Sequence, residues 1–250
     1  MRIPLLLGFS GILAAAIAMQ GSSADSLLER HTKQLQTATT LSAEYTYQKF
    51  PGGPVDYKLK LAKPAKFRLE TPDEVVVADG MTITTLKKSD NSYTQVPQKD
   101  DDLKKFLKRE GVLPWSAFFV KEPFKDAAGA KVGANRTIKG KPVTEVSIVL
   151  AGKPERDVTF YMDSSLGIAR GVSLKVAPDQ QTLIMAKEIS VAADSATDSD
   201  FSFTVPSGAK KVDPAAVTAA TFTQVSTIFQ ANCVGCHNVL RSHVDRRLLP

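Results

Sequence analysis

The chain has 250 residues, of which 43% are hydrophobic, and its net charge of +6 comes from mixed charges along its length. A chain of this length can bury a core as one domain with an appendage. It has only three histidines and two cysteines, and we find no Ser/His/Asp or Cys/His catalytic set, no phosphate-binding glycine loop and no paired metal cluster. Nucleic-acid binding has no support. We therefore predict that the protein is not an enzyme.

The first 24 residues have the features of a secretory signal. Arg2 is followed by an apolar run over residues 3–19, and small residues stand at Ser22 and Ala24. This pattern predicts export to the periplasm with cleavage after Ala24. An uncleaved anchor is the alternative, but glycine and serine interrupt the run, which is barely long enough to span a bilayer. We expect a mature protein with no transmembrane span.

Helical spacing of apolar residues predicts a helix over residues 25–41, with Ser26 as its cap, and a charged helix over residues 100–111. His31 lies on or near the apolar side of the first helix, where a structural role is more common than ligand binding. From Ser42 onward the period changes to two, which is typical of strands. About ten to eleven strands are predicted, near residues 43–47, 55–61, 67–69, 75–77, 81–83, 136–138, 143–150, 157–163, 167–176, 182–191 and 201–205.

Short strands with tight turns predict an antiparallel arrangement. Asp79 and Gly80 mark a hairpin, and a glycine-rich loop is expected over residues 129–133. The densest apolar patch, residues 113–119, holds Trp115, Phe118 and Phe119. This patch is either a lid over a hydrophobic cavity or part of the core, and core packing is the more common use.

The most specific motif places Cys233, Cys236 and His237 within five residues. This spacing predicts one covalent haem c, because two thiols can add to the vinyl groups of a haem while the adjacent imidazole binds its iron. In an oxidising compartment the alternative for two close cysteines is a disulfide. Asp213 and Pro214 predict the start of a helix that leads into the motif.

The distal iron ligand is not evident, since every methionine precedes the motif and only thirteen residues follow His237. His243 is one possibility. The others are a five-coordinate or water-ligated iron, a ligand from the β domain or a partner, and a truncated remnant of a cytochrome. Met81, Met162 and Met185 fall in predicted strands, where core packing is the common use of methionine.

Five short segments of the β region are distinctive: SAEYTYQ at 42–48, KPAKFR at 63–68, PDE at 72–74, VADGMT at 77–82 and FSFTVPSGA at 201–209. Through these segments the β region resembles the periplasmic outer-membrane lipoprotein carrier LolA and its relatives. It implies an incomplete antiparallel β-barrel with covering helices, whose apolar interior holds acyl chains or other hydrophobic ligands in the family. The family has arginine where Lys63 stands here, and the two side chains are not equivalent. Lys63 is therefore either a ligand contact or a solvated turn residue.

Together these patterns predict an α+β protein with a signal peptide at 1–24, a LolA-like domain at 25–212 and a C-terminal helix with the haem motif at 213–250. The first hypothesis is an exported protein that binds a hydrophobic ligand, lipid or lipoprotein, with Lys63, Trp115, Phe118 and Phe119 as candidate contacts. The second is a one-haem electron carrier or sensor that uses the β domain as a mount and meets a redox partner. The third is a β scaffold with a vestigial cytochrome fragment.

Overall fold

Twelve strands form one open sheet in the computed structural model, which describes residues 23–151, 156–177, 179–194 and 197–213. The cysteines, His237 and His243 lie outside the described residues, as does nearly all of the predicted signal peptide and C-terminal helix. Helix α1 spans Ala24–Thr37, α2 spans Asp100–Leu107, and 3-10 segments span Glu110–Phe118 and Asp198–Phe201. The strands are β1 Thr40–Lys49, β2 Val55–Ala62, β3 Lys66–Glu70, β4 Glu74–Ala78, β5 Thr82–Lys87, β6 Ser92–Pro97, β7 Ala127–Ile138, β8 Lys141–Leu150, β9 Arg156–Asp163, β10 Ala169–Ala177, β11 Gln180–Ala192 and β12 Lys210–Lys211.

The strand order is β12-β6-β5-β4-β3-β2-β1-β11-β10-β9-β8-β7. Strand β1 joins the two halves of the sheet because it pairs with both β2 and β11. All pairings are antiparallel except that of β12 with β6. The edge strands β7 and β12 are not paired with each other, so the sheet does not close. An α+β fold with an incomplete antiparallel sheet and covering helices is therefore confirmed.

Helix α1 covers the face of the sheet that we call the inner face. Leu28, His31 and Leu35 are buried on one side of the helix, as their spacing predicts. The helix begins earlier than expected, because Ser23 is its cap and accepts a hydrogen bond from the Ser26 N–H at 3.1 Å. It also ends at Thr37 rather than residue 41, since the chain must turn before it enters β1. Ser23 therefore caps a helix of the domain, whereas the sequence pattern places it in the signal peptide.

Two apolar clusters lie on opposite faces of the sheet. The main core is on the inner face, between the sheet and a helical layer made of α1, α2 and the 3-10 segment Glu110–Phe118. The smaller one, which we call the outer cluster, contains Phe201 and the partly buried Phe203. Its remaining members are Ala62, Val75, Val77, Leu86, Tyr93 and Ala209.

Several local predictions are wrong. Residues 201–205 do not form a strand, because a 3-10 turn carries Phe201 across the outer face, where it packs without pairing. The expected glycine-rich loop at 129–133 belongs to strand β7, in which two irregularities of register absorb the extra residues. Strands β6 and β12 were not predicted. Met81 lies in the β4–β5 turn with 80% of its surface exposed, instead of packing in a strand.

Candidate functional site

The inner face is filled by aromatic side chains of the 3-10 segment. Trp115 is fully buried, and its indole Nε1–H donates to the Ala169 carbonyl at 3.0 Å. Phe118 is buried, and Phe119 is half-buried with its ring edge-on to that of Phe118 at 4.8 Å. In this conformation the three predicted ligand contacts occupy the space between the helical layer and the sheet. The three side chains lie next to one another, as expected from their closeness in the sequence, and they form part of the main core.

His31 ties three parts of this layer together. Its Nδ1 accepts a hydrogen bond from the Ala169 N–H at 3.0 Å, and its ring also bonds to the backbone of Pro114. Burial lowers the pKa of His31 to about 4, against the smaller opposing effect of the Pro114 bond. The imidazole is therefore neutral at physiological pH and holds α1, the 3-10 segment and β10 in register. This is the structural role that the sequence favours.

The side chain of Lys63 contacts both α1 and the 3-10 segment Glu110–Phe118. Its Nζ donates to the Gln36 carbonyl in the last turn of α1 and lies 5.1 Å from the centre of the Phe118 ring. A cation at this position is favoured by both the carbonyl dipoles of a helix end and the face of an aromatic ring. Partial burial lowers the pKa of Lys63. The side chain bridges the helical layer and the sheet.

An open cleft of about 490 Å³ lies where α2 ends and the 3-10 segment begins. We call it the tyrosine cleft. Tyr47 and Tyr57 stack at 5.0 Å with 12° between their rings, and Tyr45 lies 5.5 Å from Tyr57. The ring of Tyr45 in turn contacts Trp115 at 5.1 Å, which connects the cleft to the main core. The cleft is lined by Tyr47, Tyr57, Leu69, Thr71, Asp73, Glu74, Arg109, Glu110 and Gly111.

Three carboxylates and one guanidinium surround these rings. Glu110 accepts hydrogen bonds from the Tyr47 hydroxyl at 3.0 Å and from the Thr182 hydroxyl at 3.3 Å. Glu74 forms an ion pair with Arg109. Burial, with the adjacent Glu110 carboxylate, raises the pKa of Tyr47 to about 12. The phenol of Tyr47 therefore stays neutral at physiological pH beside the carboxylate of Glu110.

The pKa values of the other two tyrosines rise for related reasons. Burial is the main cause for both, and for Tyr57 the carboxylates of Asp73 and Glu74 add to it. Tyr45 is fully buried, and its hydroxyl has no hydrogen-bond partner among the described residues. Alternation in β1 and β2 predicted strand positions for these tyrosines. Glu110 and Arg109 were missed because nothing in the sequence brings the end of a charged helix to two strands some fifty residues away.

Within the described ranges, no group of three or more His, Cys, Asp or Glu side chains is placed to hold a metal ion. None of the helices that the structure describes has the length and apolar character needed to cross a membrane.

Comparisons with known proteins identify no family, since no family model matches the chain. A curated relative, an uncharacterized protein of Methanocaldococcus jannaschii, is 26% identical over 166 residues, which cover 66% of this chain and 46% of the relative. The chain thus spans about half the length of that relative.

Several solved structures match parts of this chain. LprF of Mycobacterium bovis matches with a TM-score of 0.47 and 10% identity, covering 75% of this chain and 100% of LprF. A chain of the Pseudomonas aeruginosa MucA/MucB complex matches with a TM-score of 0.48 and 12% identity over 72% of this chain and 61% of its own length. A LolA superfamily protein of Nitrosomonas europaea matches with a TM-score of 0.35 and 7% identity over 73% and 98%. At these values none of them identifies a ligand for this chain.

Proposed function

We propose that the protein is an exported carrier or sensor that binds a hydrophobic ligand between its helical layer and the inner face of its sheet. The ligand class is an acyl chain, whether of a free lipid or of a lipoprotein, and the role is binding without catalysis. The observation that carries the proposal is the nature of the cover on the inner face. Among the described residues that cover consists of two short helices and a 3-10 segment.

The helical layer is attached to the sheet in a way that would let a ligand replace the side chains between them. Trp115 and Phe118 fill the inner face with apolar surface, which an acyl chain could replace at little cost in buried area. Side-chain polar contacts hold the layer in place, among them those of His31, Lys63 and the Trp115 indole. Glu110 and Arg109 add bonds from the 3-10 segment and the residue before it to strands of the sheet. The tyrosine cleft gives an opening at the edge of this layer. These features support a pocket that forms as the layer moves, with Lys63, Trp115, Phe118 and Phe119 as contacts.

Trp115 offers a direct test, because it is the only tryptophan in the chain. The full chain is produced without haem-maturation factors, freed of lipid, and titrated with a fatty acid that carries a nitroxide near its methyl end. We expect a saturable loss of Trp115 fluorescence, and no loss with the same acid lacking the nitroxide. Iodide, which stays in water, should quench little because the indole is buried.

A matched pair of variants locates the binding. Phe119 and Phe203 are both half-buried, but Phe119 lies on the inner face and Phe203 in the outer cluster. Phe119→Ala should change the affinity for the labelled acid severalfold, while Phe203→Ala should leave it unchanged. Unsaturable or absent quenching in folded protein would refute the proposal, and so would purification from cell envelopes with no lipid attached.

A second function rests on Cys233, Cys236 and His237. Their spacing is the donor set of a covalent haem c, in which the two sulfurs would form thioethers and the imidazole would bind the iron. Bound there, the haem would supply one-electron chemistry to a redox partner. His31 is excluded as the distal ligand in this conformation because both of its nitrogens face the protein backbone. His243 and the exposed Met81 are the candidates for that position.

Haem-stained electrophoresis and a pyridine haemochrome spectrum test this second function. The full chain is expressed with the c-type maturation machinery, beside a Cys233→Ser/Cys236→Ser variant. We expect one covalent haem per chain in the unmodified protein and none in the variant. An intact disulfide between the two cysteines, seen by mass spectrometry in place of haem, would leave the β domain as a scaffold with a vestigial fragment.

A further inference from the structure

The tyrosine cleft has a chemical character that differs from that of the main core. Its wall presents the stacked rings of Tyr47 and Tyr57, which lie on the neighbouring strands β1 and β2. Both side chains are half-buried, so each keeps part of its surface open to the cleft. The face of an aromatic ring is electron-rich and attracts cations. A wall of this kind suits a positively charged group that water solvates weakly.

The charges in the cleft point to the same class of ligand. Of its three carboxylates, Glu74 is neutralised by Arg109. Glu110 and Asp73 form no ion pair in the part of the chain that the structure describes. One further cation lies at the rim, where the Lys88 ammonium donates to the Thr71 carbonyl at 2.5 Å. Two carboxylates therefore remain available to a cation from outside, and they would repel an anion.

An unsatisfied polar group lies directly behind the lining of the cleft. The Tyr45 hydroxyl is buried and without a hydrogen-bond partner among the described residues, and it lies beside Gly111. A Cβ on Gly111 would be 3.2 Å from that hydroxyl and 3.3 Å from the Tyr57 ring. Glycine at this position thus avoids crowding the Tyr45 hydroxyl and the Tyr57 ring. Buried polar groups without a partner are uncommon in folded proteins and often mark a place where a ligand or water completes the bonding.

We propose that the tyrosine cleft binds an organic ammonium group, held against the Tyr47 and Tyr57 rings and the carboxylates of Glu110 and Asp73. Tyr45 contacts both Tyr57 in the cleft wall and Trp115 in the main core, so a ligand held in the cleft can place its chain on the inner face once the helical layer moves. The ligand is then an amphiphile with a cationic head. Only the assignment of the chain rests on the function proposed above, because the ammonium site stands on the cleft alone.

Two probes of equal shape isolate the charge. Choline and its neutral isostere 3,3-dimethylbutan-1-ol are titrated into the full chain and followed by ligand-observed NMR. We expect choline to bind at least about tenfold more tightly, because only choline carries a charge for the rings and carboxylates. Decyltrimethylammonium and decyl sulfonate, both below their micelle concentrations, are compared in the same way by calorimetry, and the cationic amphiphile should bind more tightly.

Variants assign the effect to the cleft. Glu110→Gln keeps acceptors for Tyr47 and Thr182 but removes the charge, and should weaken choline binding about fivefold to tenfold. Glu44→Gln removes the same charge from an exposed pair with Lys58 and should change binding by less than about twofold. Tyr57→Phe should retain binding because the ring remains, whereas Tyr57→Leu should lose about tenfold.

The outcomes separate the two proposals. Equal binding of choline and the neutral alcohol, or no effect of Glu110→Gln, overturns the ammonium site. If both amphiphiles bind equally well and choline does not bind, the ammonium site is wrong while chain binding on the inner face stands. If choline binds and neither amphiphile gains affinity from its chain, the ammonium site stands and the function proposed above is wrong.

Discussion

At the scale of single residues, His31 shows how one polar side chain can organise an apolar core. It is 1% exposed, and its two ring nitrogens join segments that lie 83 and 138 positions further along the chain. Burying an imidazole without a counter-charge favours its neutral form, and each buried nitrogen without a hydrogen-bond partner costs free energy. Helical spacing in the sequence places His31 on the apolar side of α1. Its partners could not be foreseen, because they depend on how the 3-10 segment and β10 meet.

This arrangement predicts that acid destabilises the protein through His31. The folded-state pKa of about 4 lies below the ordinary value of 6.5, so the stability contribution is complete above pH 6.5 and is lost as the pH falls from 6.5 towards 4. Between pH 7 and pH 5 the loss should be about 2 kcal/mol. Urea unfolding followed by Trp115 fluorescence measures it. His31→Gln should be less stable at pH 7 and should lack this component, while His237 and His243 stay present in both proteins.

Lys63 supports a second prediction at this scale. Replacement by methionine keeps the apolar stem but removes the ammonium from the Gln36 carbonyl and the Phe118 ring. Unfolding should become easier by about 1 kcal/mol, the usual net value of such a contact. The nitroxide-labelled acid should then quench Trp115 faster, because the helical layer is less firmly attached. Lys58→Met, which breaks an exposed pair on strand β2 just before the Lys63 turn, is the control and should change neither quantity.

At the scale of elements, periodicity predicts the strands of the sheet well and fails where packing and pairing diverge. Ala43, Tyr45, Leu59 and Leu61 alternate as expected and are buried against the helical layer. The same alternation at residues 201–205 gives no strand, because Phe201 and Phe203 pack over the outer face and the segment does not extend an edge. Alternation reports which side chains are buried, and it cannot tell pairing from packing across a sheet.

A buried ion pair fixes the turn between β9 and β10. Asp163 accepts hydrogen bonds from the Arg170 guanidinium at 2.6 and 2.9 Å and from Ser165. Burial alone would raise the pKa of Asp163, but these bonds and those from the backbone of Ser165 and Leu166 outweigh it and lower the pKa to about 2. Stability from this group is therefore present above pH 3.8 and lost as the pH falls towards 2.

Asp163→Asn should consequently destabilise the protein by about 3 kcal/mol or more at pH 7, because the buried Arg170 loses its counter-charge. Chemical unfolding measures the change. Glu70→Gln is the matched control, since the Arg68–Glu70 pair has side chains 26% and 32% exposed, and its loss should cost less than about 1 kcal/mol. Equal effects from the two substitutions would contradict this account of the turn.

At the scale of the whole molecule, the sheet carries a core on each face, and the two cores use different parts of the chain. The inner core takes its cover from α1, α2 and the 3-10 segment, and the outer cluster takes its cover from residues 197–213. The sequence predicts the first arrangement through helical spacing and the resemblance to LolA. The tyrosine cleft is beyond such prediction, because Thr182, Glu110 and Tyr47 meet only once β1 lies between β2 and β11.

The two-sided arrangement predicts that the outer cover can be released by itself. Phe201 is 2% exposed, and Phe201→Ala should cost about 3 kcal/mol, the usual loss for a buried aromatic ring. Since that core is small, residues 197–213 should detach before the sheet unfolds. Limited proteolysis should cut this segment in the variant while the Trp115 emission spectrum stays unchanged. A simultaneous change in Trp115 emission would show that the two cores unfold as one.

Because Trp115 is the only tryptophan in the chain and is buried, its fluorescence can report a distance within the molecule. Haem absorbs light at the wavelengths where tryptophan emits. A haem attached to Cys233 and Cys236 would therefore quench the fluorescence of Trp115 by resonance energy transfer. The fluorescence lifetime of Trp115 would then measure its separation from the C-terminal motif in solution, and the change in this lifetime on adding a ligand would report whether the inner face and that motif respond to each other.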